Sequence, residues 1–264
     1  MNKIKHLMSF VLLSLFCLLF YASKTQKHLV VAHEDIKKPN YDYVPVETNI
    51  KTGIAIALVN PIFARDMKYS NNRLFADFSK HMATDYEEML TKRGYTLRGP
   101  FQSVDDMVYN DKVACPLFLQ PEIEINFDCS QIFVKPYNQT YFNGIDKPST
   151  QETFYLFSGT LMIDGHINMV FSEPFTKEKI KVLSISIPQK SVLIHDVHAY
   201  KTNDFIATIS ISEEGELMNP IYAALEDIYQ SSFKTAYNHL DPHEINDYAG
   251  DSKRIREKSN FMSK

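Results

Sequence analysis

Tryptophan is absent from this sequence, and cysteine, glycine and proline are scarce. Of 264 residues, 3 are Cys, 8 are Gly and 12 are Pro, which excludes collagen-like and glycine-rich fibrous proteins. Positive charge is not in excess either. The formal net charge is −4, so the chain as a whole lacks the electrostatic character of a nucleic-acid binder. The 44% of hydrophobic residues supply enough apolar surface to offset the entropy of folding, which excludes a fully disordered chain.

Acidic residues are missing from the first 23 positions, where the pattern is typical of an export signal. A short basic region precedes an almost wholly apolar run over residues 7–22. This order predicts a signal peptide or an N-terminal membrane anchor over residues 1–23. No cleavage position has small residues at both −1 and −3, so removal and retention both stay open. Lipidation of Cys17 is a third alternative, although a bulky residue precedes it.

Only two further cysteines exist, Cys115 and Cys129. An oxidising compartment would permit a disulfide between them. The segment between them reads as extended, and a straight strand of that length would separate its ends by roughly 45 Å, beyond disulfide reach. A disulfide therefore requires the chain to fold back, for example at Gln120-Pro121. Two buried free thiols are the alternative.

The remaining chain divides into a linker and one domain. Residues 24–48 are polar and contain two prolines, and we expect a linker there. Residues 49–260 are expected to form a single α+β domain. It opens with an apolar strand over 54–59, a helix from about Leu74 to Lys92 with an apolar stripe, and a second extended segment over 94–99.

In the middle of the chain, apolar and polar residues alternate as is typical of β-strands. Residues 153–163 and 166–171 predict a hairpin, because Asp164-Gly165 is a favoured type I′ turn. Residues 179–187 predict a third strand that ends at Pro188, and 204–212 a fourth. Helices are expected from Asn219 onward. The expected fold class is therefore α+β: an antiparallel sheet with helices packed on one face, a strand–helix–strand opening and C-terminal helices.

Signatures of catalysis and metal binding are missing. The sequence contains no glycine-rich phosphate loop, GxSxG, HExxH or CxxC motif, so we expect a non-enzymatic protein without cofactor or metal. His195 and His198 are three residues apart, and on a strand they would point to opposite faces, which disfavours a shared metal.

Aromatic and amide side chains cluster within residues 135–152, a turn-rich stretch that predicts a surface loop. Carbohydrate sites combine apolar ring faces, which stack on sugars, with planar hydrogen-bonding groups. We therefore take Tyr137, Tyr141 and Asn143 as the candidate ligand-binding residues.

Four stretches of the chain resemble one family. They are NPIF at 60–63, FADFSKHMATDYEEMLTKRGYTL at 75–97, GTLMIDGHINMVFSEP at 159–174, and the terminal stretches NPIYAALEDIYQSSF and INDYAGDSKRIREK within 219–258. In order and length they resemble the neuraminyllactose-binding hemagglutinin, or flagellar sheath adhesin, family of bacterial envelope lipoproteins. The likeness covers most of residues 50–258.

This resemblance implies an exported, non-catalytic adhesin of the outer membrane or flagellar sheath, attached to the membrane through its N-terminus, with sialylated host glycans as partners. Two features depart from the family: the signal lacks a proper lipobox, and the stretch 130–139 has Lys135 as its one basic residue. A carboxylated sugar needs a cationic partner. A periplasmic scaffold that binds another envelope protein is the alternative function.

Overall fold

A computed structural model describes residues 34–48, 51–64, 67, 73–141 and 149–259. Within these ranges six strands form one sheet. Their bounds are β1 Ala55–Val59, β2 Ile62–Phe63, β3 Thr96–Phe101, β4 Leu117–Tyr141, β5 Thr150–Ser172 and β6 Lys179–Tyr200.

The sheet is mixed rather than purely antiparallel. Its strands lie in the order β3-β1-β4-β5-β6, and β2 pairs with β4. β1 is parallel to both β3 and β4, and β2 is parallel to β4, whereas β4, β5 and β6 run antiparallel to one another. The α+β class is confirmed, but the expectation of an antiparallel sheet holds only for part of it. The helical connection between β1 and β3 returns the chain to the same edge, which makes the two strands parallel.

The three antiparallel strands are 25, 23 and 22 residues long, and their length overturns the predicted hairpin. Asp164-Gly165 lies inside β5, where Gly165 pairs with Ile125 and Ile187. Pro188 does not end the third strand either, because β6 continues through it at the edge of the sheet. Proline is tolerated there, since an edge strand has no partner on one side.

Glycine bends the central strand instead of turning it. The backbone of Gly165 has a φ of 146°, and a Cβ at this position would lie 2.0 Å from the carbonyl oxygen of Glu124. Gly159 has a φ of 135° and the same relation to Gln131 at 2.1 Å. Both positions coincide with register shifts between β5 and β6. Only glycine permits this φ together with so close an approach of the neighbouring strand.

Five helices occur in the described ranges. They are α1 Arg73–Lys92, α2 Tyr109–Ala114, α3 Phe205–Ile211, α4 Gly215–His239 and α5 Pro242–Lys258.

Helix α3 replaces the strand expected over 204–212. The Asp204 carboxylate accepts hydrogen bonds from the N–H groups of Ile206 and Ala207, which is the bonding of a helix N-cap. Phe205, Ile206 and Ile209 are buried, so the buried positions follow the helical period. The same residues also alternate with polar ones, which is why the sequence predicted a strand.

The main core lies on one face of the sheet, and a smaller cluster lies on the other. Ile56 and Leu58 belong to the main core, whereas Ala57 and Val59 belong to the second cluster with Cys115. This alternation follows from the two-residue period of a strand. Helices α1, α3, α4 and α5 contribute to the main core through Phe78, Ile209, Leu225 and Ile245 respectively.

Residues from Asp35 onward belong to one compact unit, so residues 35–48 of the expected linker are part of the folded domain. We call residues 35–48 the N-terminal strap. It runs along α4, whose polar side chains bind the backbone of the strap. Asn219 Oδ1 accepts from the N–H of Lys37 at 2.8 Å, Gln230 Nε2 donates to the carbonyl of Asp42 at 2.9 Å, and the Tyr237 hydroxyl donates to the carbonyl of Val46 at 2.8 Å.

One aromatic side chain fixes the middle of the strap. Tyr41 is 1% exposed, and its ring centroid lies 5.2 Å from those of both Phe78 and Tyr229. Beside it, Asp85 Oδ2 accepts hydrogen bonds from the Tyr43 N–H and the Tyr229 hydroxyl, each at 2.7 Å. An extended segment without periodicity gives no sequence sign of such burial, so residues 35–48 read as a linker.

A buried ion pair joins the turn after β5 to the last helix. Arg256 Nε donates to Glu173 Oε1 at 2.5 Å, and Arg256 Nη2 donates to the carbonyl of Cys115 at 2.6 Å. The other oxygen of Glu173 accepts from the N–H groups of Phe175 and Thr176. The Glu173 carboxylate thus connects the turn after β5 to the end of α5.

Candidate functional site

An aromatic cluster lies at the end of strands β4, β5 and β6 that is farthest from β1. Tyr137 of β4 pairs with Phe154 of β5, which pairs with Tyr200 of β6. Their neighbours Phe157 and Ala199 are buried in the main core, so alternation puts the three aromatic side chains on the opposite face of the sheet. We call Tyr137, Phe154 and Tyr200 the aromatic platform.

The rings of the platform touch one another. The centroids of Tyr137 and Phe154 lie 5.5 Å apart with an interplanar angle of 21°, and those of Phe154 and Tyr200 lie 5.2 Å apart at 44°. Tyr200 is 45% exposed, and the other two rings are partly exposed. Cross-strand aromatic pairs stabilise a sheet, and a partly exposed row of rings also offers apolar surface to a ligand.

Polar groups tie down the hydroxyls at both ends of the platform. The Tyr137 hydroxyl lies 2.8 Å from Nδ1 of His198, and the Tyr200 hydroxyl donates to Glu152 Oε1 at 2.7 Å. The His198 ring is also packed edge-on against that of Tyr137. These contacts fix the orientation of the rings before any ligand binds, which lowers the entropic cost of recognition.

A cation lies directly on the platform. Lys201 follows the last residue of β6 with a φ of 59°, and its Nζ is 4.2 Å from the ring centroid of Tyr200. This left-handed backbone conformation is uncommon for residues other than glycine. The hydrogen bond with Tyr200 raises the pKa of Lys201, so the side chain is positively charged at neutral pH. The contact has the geometry of a cation–π interaction.

Tyr141 and Lys135 extend the same face along β4. Each is separated from Tyr137 by an even number of residues, so both side chains lie on the platform's side of the strand. Burial, followed by the charges of Glu152 and the neighbouring tyrosines, raises the pKa of the Tyr141 hydroxyl. Lys135 is exposed and supplies a second ammonium group beside the rings.

Tyr137 and Tyr141, two of the residues predicted to bind a ligand, thus lie together, but not in a loop. The predicted surface loop over 135–152 is wrong at both ends, because β4 continues to Tyr141 and β5 begins at Thr150; residues 142–148 lie outside the described residues. Asn143 lies outside the described residues. Sequence reasoning missed Phe154, His198, Tyr200 and Lys201, which come to Tyr137 only through strand pairing.

The two cysteines are free thiols. β4 stays extended and does not fold back at Gln120-Pro121, so Cys115 remains with the second cluster while Cys129 packs against the main core. Burial raises the pKa of each thiol to about 11, so neither is a reactive thiolate at neutral pH. Cys17, the candidate for lipidation, lies outside the described residues.

In the part of the chain that the structure describes, no three His, Cys, Asp or Glu side chains come together as metal ligands would. None of the helices in this part is both long enough and apolar enough to span a bilayer.

The fold is similar to that of a solved structure. A neuraminyllactose-binding hemagglutinin homolog from Helicobacter pylori matches with a TM-score of 0.50 and 16% sequence identity, over 80% of this chain and 98% of the other. At this identity the likeness concerns the fold. Comparison with curated protein sequences finds no match.

Comparison with protein families covers almost the whole chain. The model of the neuraminyllactose-binding hemagglutinin precursor family matches residues 21–259. These residues contain every strand and helix described above, including the platform and the buried Glu173–Arg256 pair. The chain therefore belongs to the neuraminyllactose-binding hemagglutinin precursor family.

Proposed function

We propose that this protein is an exported, non-catalytic adhesin of the bacterial cell envelope that binds sialylated glycans on the aromatic platform. The observation that carries the proposal is the row of three partly exposed rings with a lysine ammonium on the last one. The ring faces can stack on the apolar face of a pyranose. Lys201 and Lys135 can pair with the carboxylate of an acidic sugar. The family's name, which includes neuraminyllactose, supports the same class of ligand.

The two lysines replace the run of basic residues that the sequence lacks. Lys135 and Lys201 are far apart in the sequence, but strand pairing brings Tyr137 beside Phe154 and Phe154 beside Tyr200. A basic site can therefore be assembled across strands. Such a site would supply more cationic groups than residues 130–139 contain by themselves.

The test is a glycan-binding assay on the full-length chain with neuraminyllactose and with lactose as probes. We expect wild type to prefer neuraminyllactose, and Phe154→Ala to weaken binding about tenfold, the effect of losing one aromatic contact of about 1.5 kcal/mol. Lys201→Gln should reduce the preference for neuraminyllactose and leave lactose binding unchanged. Tyr109→Ala is the matched control, since Tyr109 is 64% exposed on α2 and lies outside the platform. Failure of wild type to bind either probe contradicts the proposal.

Location belongs to the same proposal. In this proposal the N-terminal segment 1–23 directs export and either anchors the chain or is removed, and the domain lies at the outer membrane or in the flagellar sheath, within reach of host glycans. Recovery of the full-length chain in the soluble cytoplasmic fraction of the native host would contradict export.

A periplasmic scaffold that binds an envelope protein is the second candidate. One observation favours it: β4 has no partner on its outer side beyond Ile123 within the described residues. Beside this edge a groove of about 300 Å³ runs between β4 and the start of α3, with Phe127, Ile132 and Phe205 among its walls. A free strand edge next to apolar pockets can accept an extended peptide. Protease treatment of intact cells separates the two functions, because only a surface adhesin would be digested.

A further inference from the structure

The last residues of β6 lie at an edge of the sheet. Within the described residues, β6 pairs with β5 alone. The N–H of Lys201 donates to the carbonyl of Thr153 at 3.3 Å. Because bonded and non-bonded residues alternate along an antiparallel strand, Ala199 bonds to β5 as Lys201 does, whereas the N–H and C=O groups of His198 and Tyr200 point away from β5. These groups can bond a further strand.

A cleft of about 450 Å³ lies beside this edge, between the end of β6 and the junction of α3 and α4. His198 and Tyr200 are among its walls. Ala199, which lies between them, belongs to the main core, so the side chains of His198 and Tyr200 are on the opposite face of the sheet. These two residues therefore line the cleft with their backbone. The outward-pointing N–H and C=O groups and the cleft belong to one surface.

The α3–α4 side of the cleft combines an apolar side chain with two carboxylates. Ile211, the last residue of α3, is 74% exposed. Glu213 and Glu214 follow it in the wall, and the Glu214 side chain makes no capping hydrogen bond to α4. None of the ion pairs formed among the described residues involves either carboxylate. Both can therefore pair with a cationic side chain from outside the domain.

We propose that this cleft binds an extended, basic segment of another protein, which adds a strand to the edge of β6. The backbone groups of His198 and Tyr200 bond the main chain of the segment. Alternate side chains of a strand point to the same side, so an aliphatic residue and a Lys or Arg two positions away face Ile211 and the two glutamates. The formal net charge of −4 favours a basic partner over a second copy of this chain.

The test begins with the selection of random decapeptides displayed on phage, with the full-length chain as the target. We expect the enriched sequences to carry Lys or Arg two positions from an aliphatic residue. The consensus peptide, synthesised with blocked ends, should bind wild type at least about tenfold more tightly than a peptide with glutamate in place of the basic residue.

Charge reversal in the cleft should reverse this preference. Glu213→Lys should bind the glutamate peptide more tightly than the consensus peptide, because the lysine attracts one and repels the other. Glu87→Lys is the matched control: Glu87 is an exposed residue of α1 outside the cleft, and this variant should keep the preference of wild type. A thermal melt checks that each variant is folded.

Hydrogen exchange of the backbone provides a second readout, which is independent of the side chains of the cleft. Binding of the consensus peptide should slow exchange in the segment that contains residues 198–200, because the outward N–H groups of His198 and Tyr200 become bonded. Exchange in β1, inside the sheet, should stay unchanged.

Three results would overturn the proposal. They are a selection that enriches no sequence or only sequences without a basic residue, peptide binding that leaves exchange over 198–200 unchanged, and self-association of wild type that Glu213→Lys abolishes, which would assign the edge to a second copy. Glycan binding tests the proposed function separately, because the aromatic platform lies on the other face of the sheet.

Discussion

The side chains of Glu173 and Arg256 meet in the interior of the protein, 2.5 Å apart, with exposed side-chain fractions of 0% and 8%. They are 83 residues apart in the sequence, so the pair can form only when the end of α5 reaches the turn after β5. Removal of one partner from a buried pair leaves an uncompensated charge.

Arg256→Met should therefore lower the free energy of unfolding by about 3–5 kcal/mol. The measurement is urea unfolding followed by circular dichroism. Arg254→Met is the control two residues away, because its ion pair with Asp251 is largely exposed and should be worth at most about 1 kcal/mol. Similar losses in the two variants would show that burial of the pair is unimportant.

Asp85 should make stability depend on pH. Burial raises its pKa, against the opposing effect of hydrogen bonds from Tyr229 and Tyr43. A carboxyl group with a raised folded-state pKa contributes stability below its unfolded pKa and loses that contribution as pH rises through the folded value. Asp85→Asn removes this titration and retains an oxygen acceptor. Its stability relative to wild type should thus increase from pH 4 to pH 7.

The measurement is a series of urea titrations across that range. The control is Asp77→Asn, which replaces an exposed carboxylate of the same helix. An Asp85→Asn curve that runs parallel to wild type would contradict the prediction.

The bend in β5 should tolerate no side chain. Gly165→Ala combines an unfavourable φ with a Cβ 2.0 Å from a backbone oxygen, and we expect a loss of at least about 1–3 kcal/mol. Gly250→Ala is the reverse case, because an added Cβ in α5 would have no atom within 4 Å apart from its chain neighbours and the backbone of its own helix. It should stabilise the helix by about 0.5–1 kcal/mol. Thermal melts of the two variants should therefore shift in opposite directions.

Leu225 anchors α4 in the main core and is fully buried. Leu225→Asp should unfold the domain, since an unpaired buried carboxylate costs several kcal/mol against a total stability of about 5–15 kcal/mol. Ala223→Asp, on the exposed side of the same helix, should leave the melting temperature almost unchanged. An unaltered melt for Leu225→Asp would remove Leu225 from the core.

A substitution of Tyr141 can distinguish a role in ligand binding from a role in the stability of the sheet. It is 38% exposed at the end of β4, so Tyr141→Ala should keep the fold while it weakens glycan binding by about 1–2 kcal/mol, or roughly tenfold. A glycan array and a thermal melt on the same variant provide the two readouts. A lowered melting temperature with unchanged binding would assign Tyr141 to the sheet alone.

The sequence pattern within a single segment was sufficient to predict most of the helices. Apolar spacing predicts α1 and the C-terminal helices, but α4 begins at Gly215, before the predicted start at Asn219, and Pro220 lies inside the helix. The same reasoning failed at Asp164-Gly165, because a dipeptide that favours a turn also permits a bend within a long strand. The neighbouring strand, through the carbonyl of Glu124, is what requires glycine there.

The candidate site lay partly beyond local pattern as well. The aromatic and amide content of residues 135–152 pointed to Tyr137 and Tyr141. Their partners Phe154 and Tyr200 join them through the pairing register of three strands. That register shifts at Gly159 and at Gly165. The position of a bulge depends on the neighbouring strand, so the pattern within one strand does not predict it.

The position of the N-terminal strap determines which elements would carry a pulling force applied to the protein. The strap begins beside Asn219 near the start of α4, and Glu214, at the start of α4, lines one pocket together with Tyr200. Under the proposed function, a cell bound through glycan at the platform would pull against the strap, which begins at this same end. The load path then runs through β6, the first turns of α4 and the strap. It bypasses β1, β3 and α5, so the buried Glu173–Arg256 pair would carry little of the pulling force.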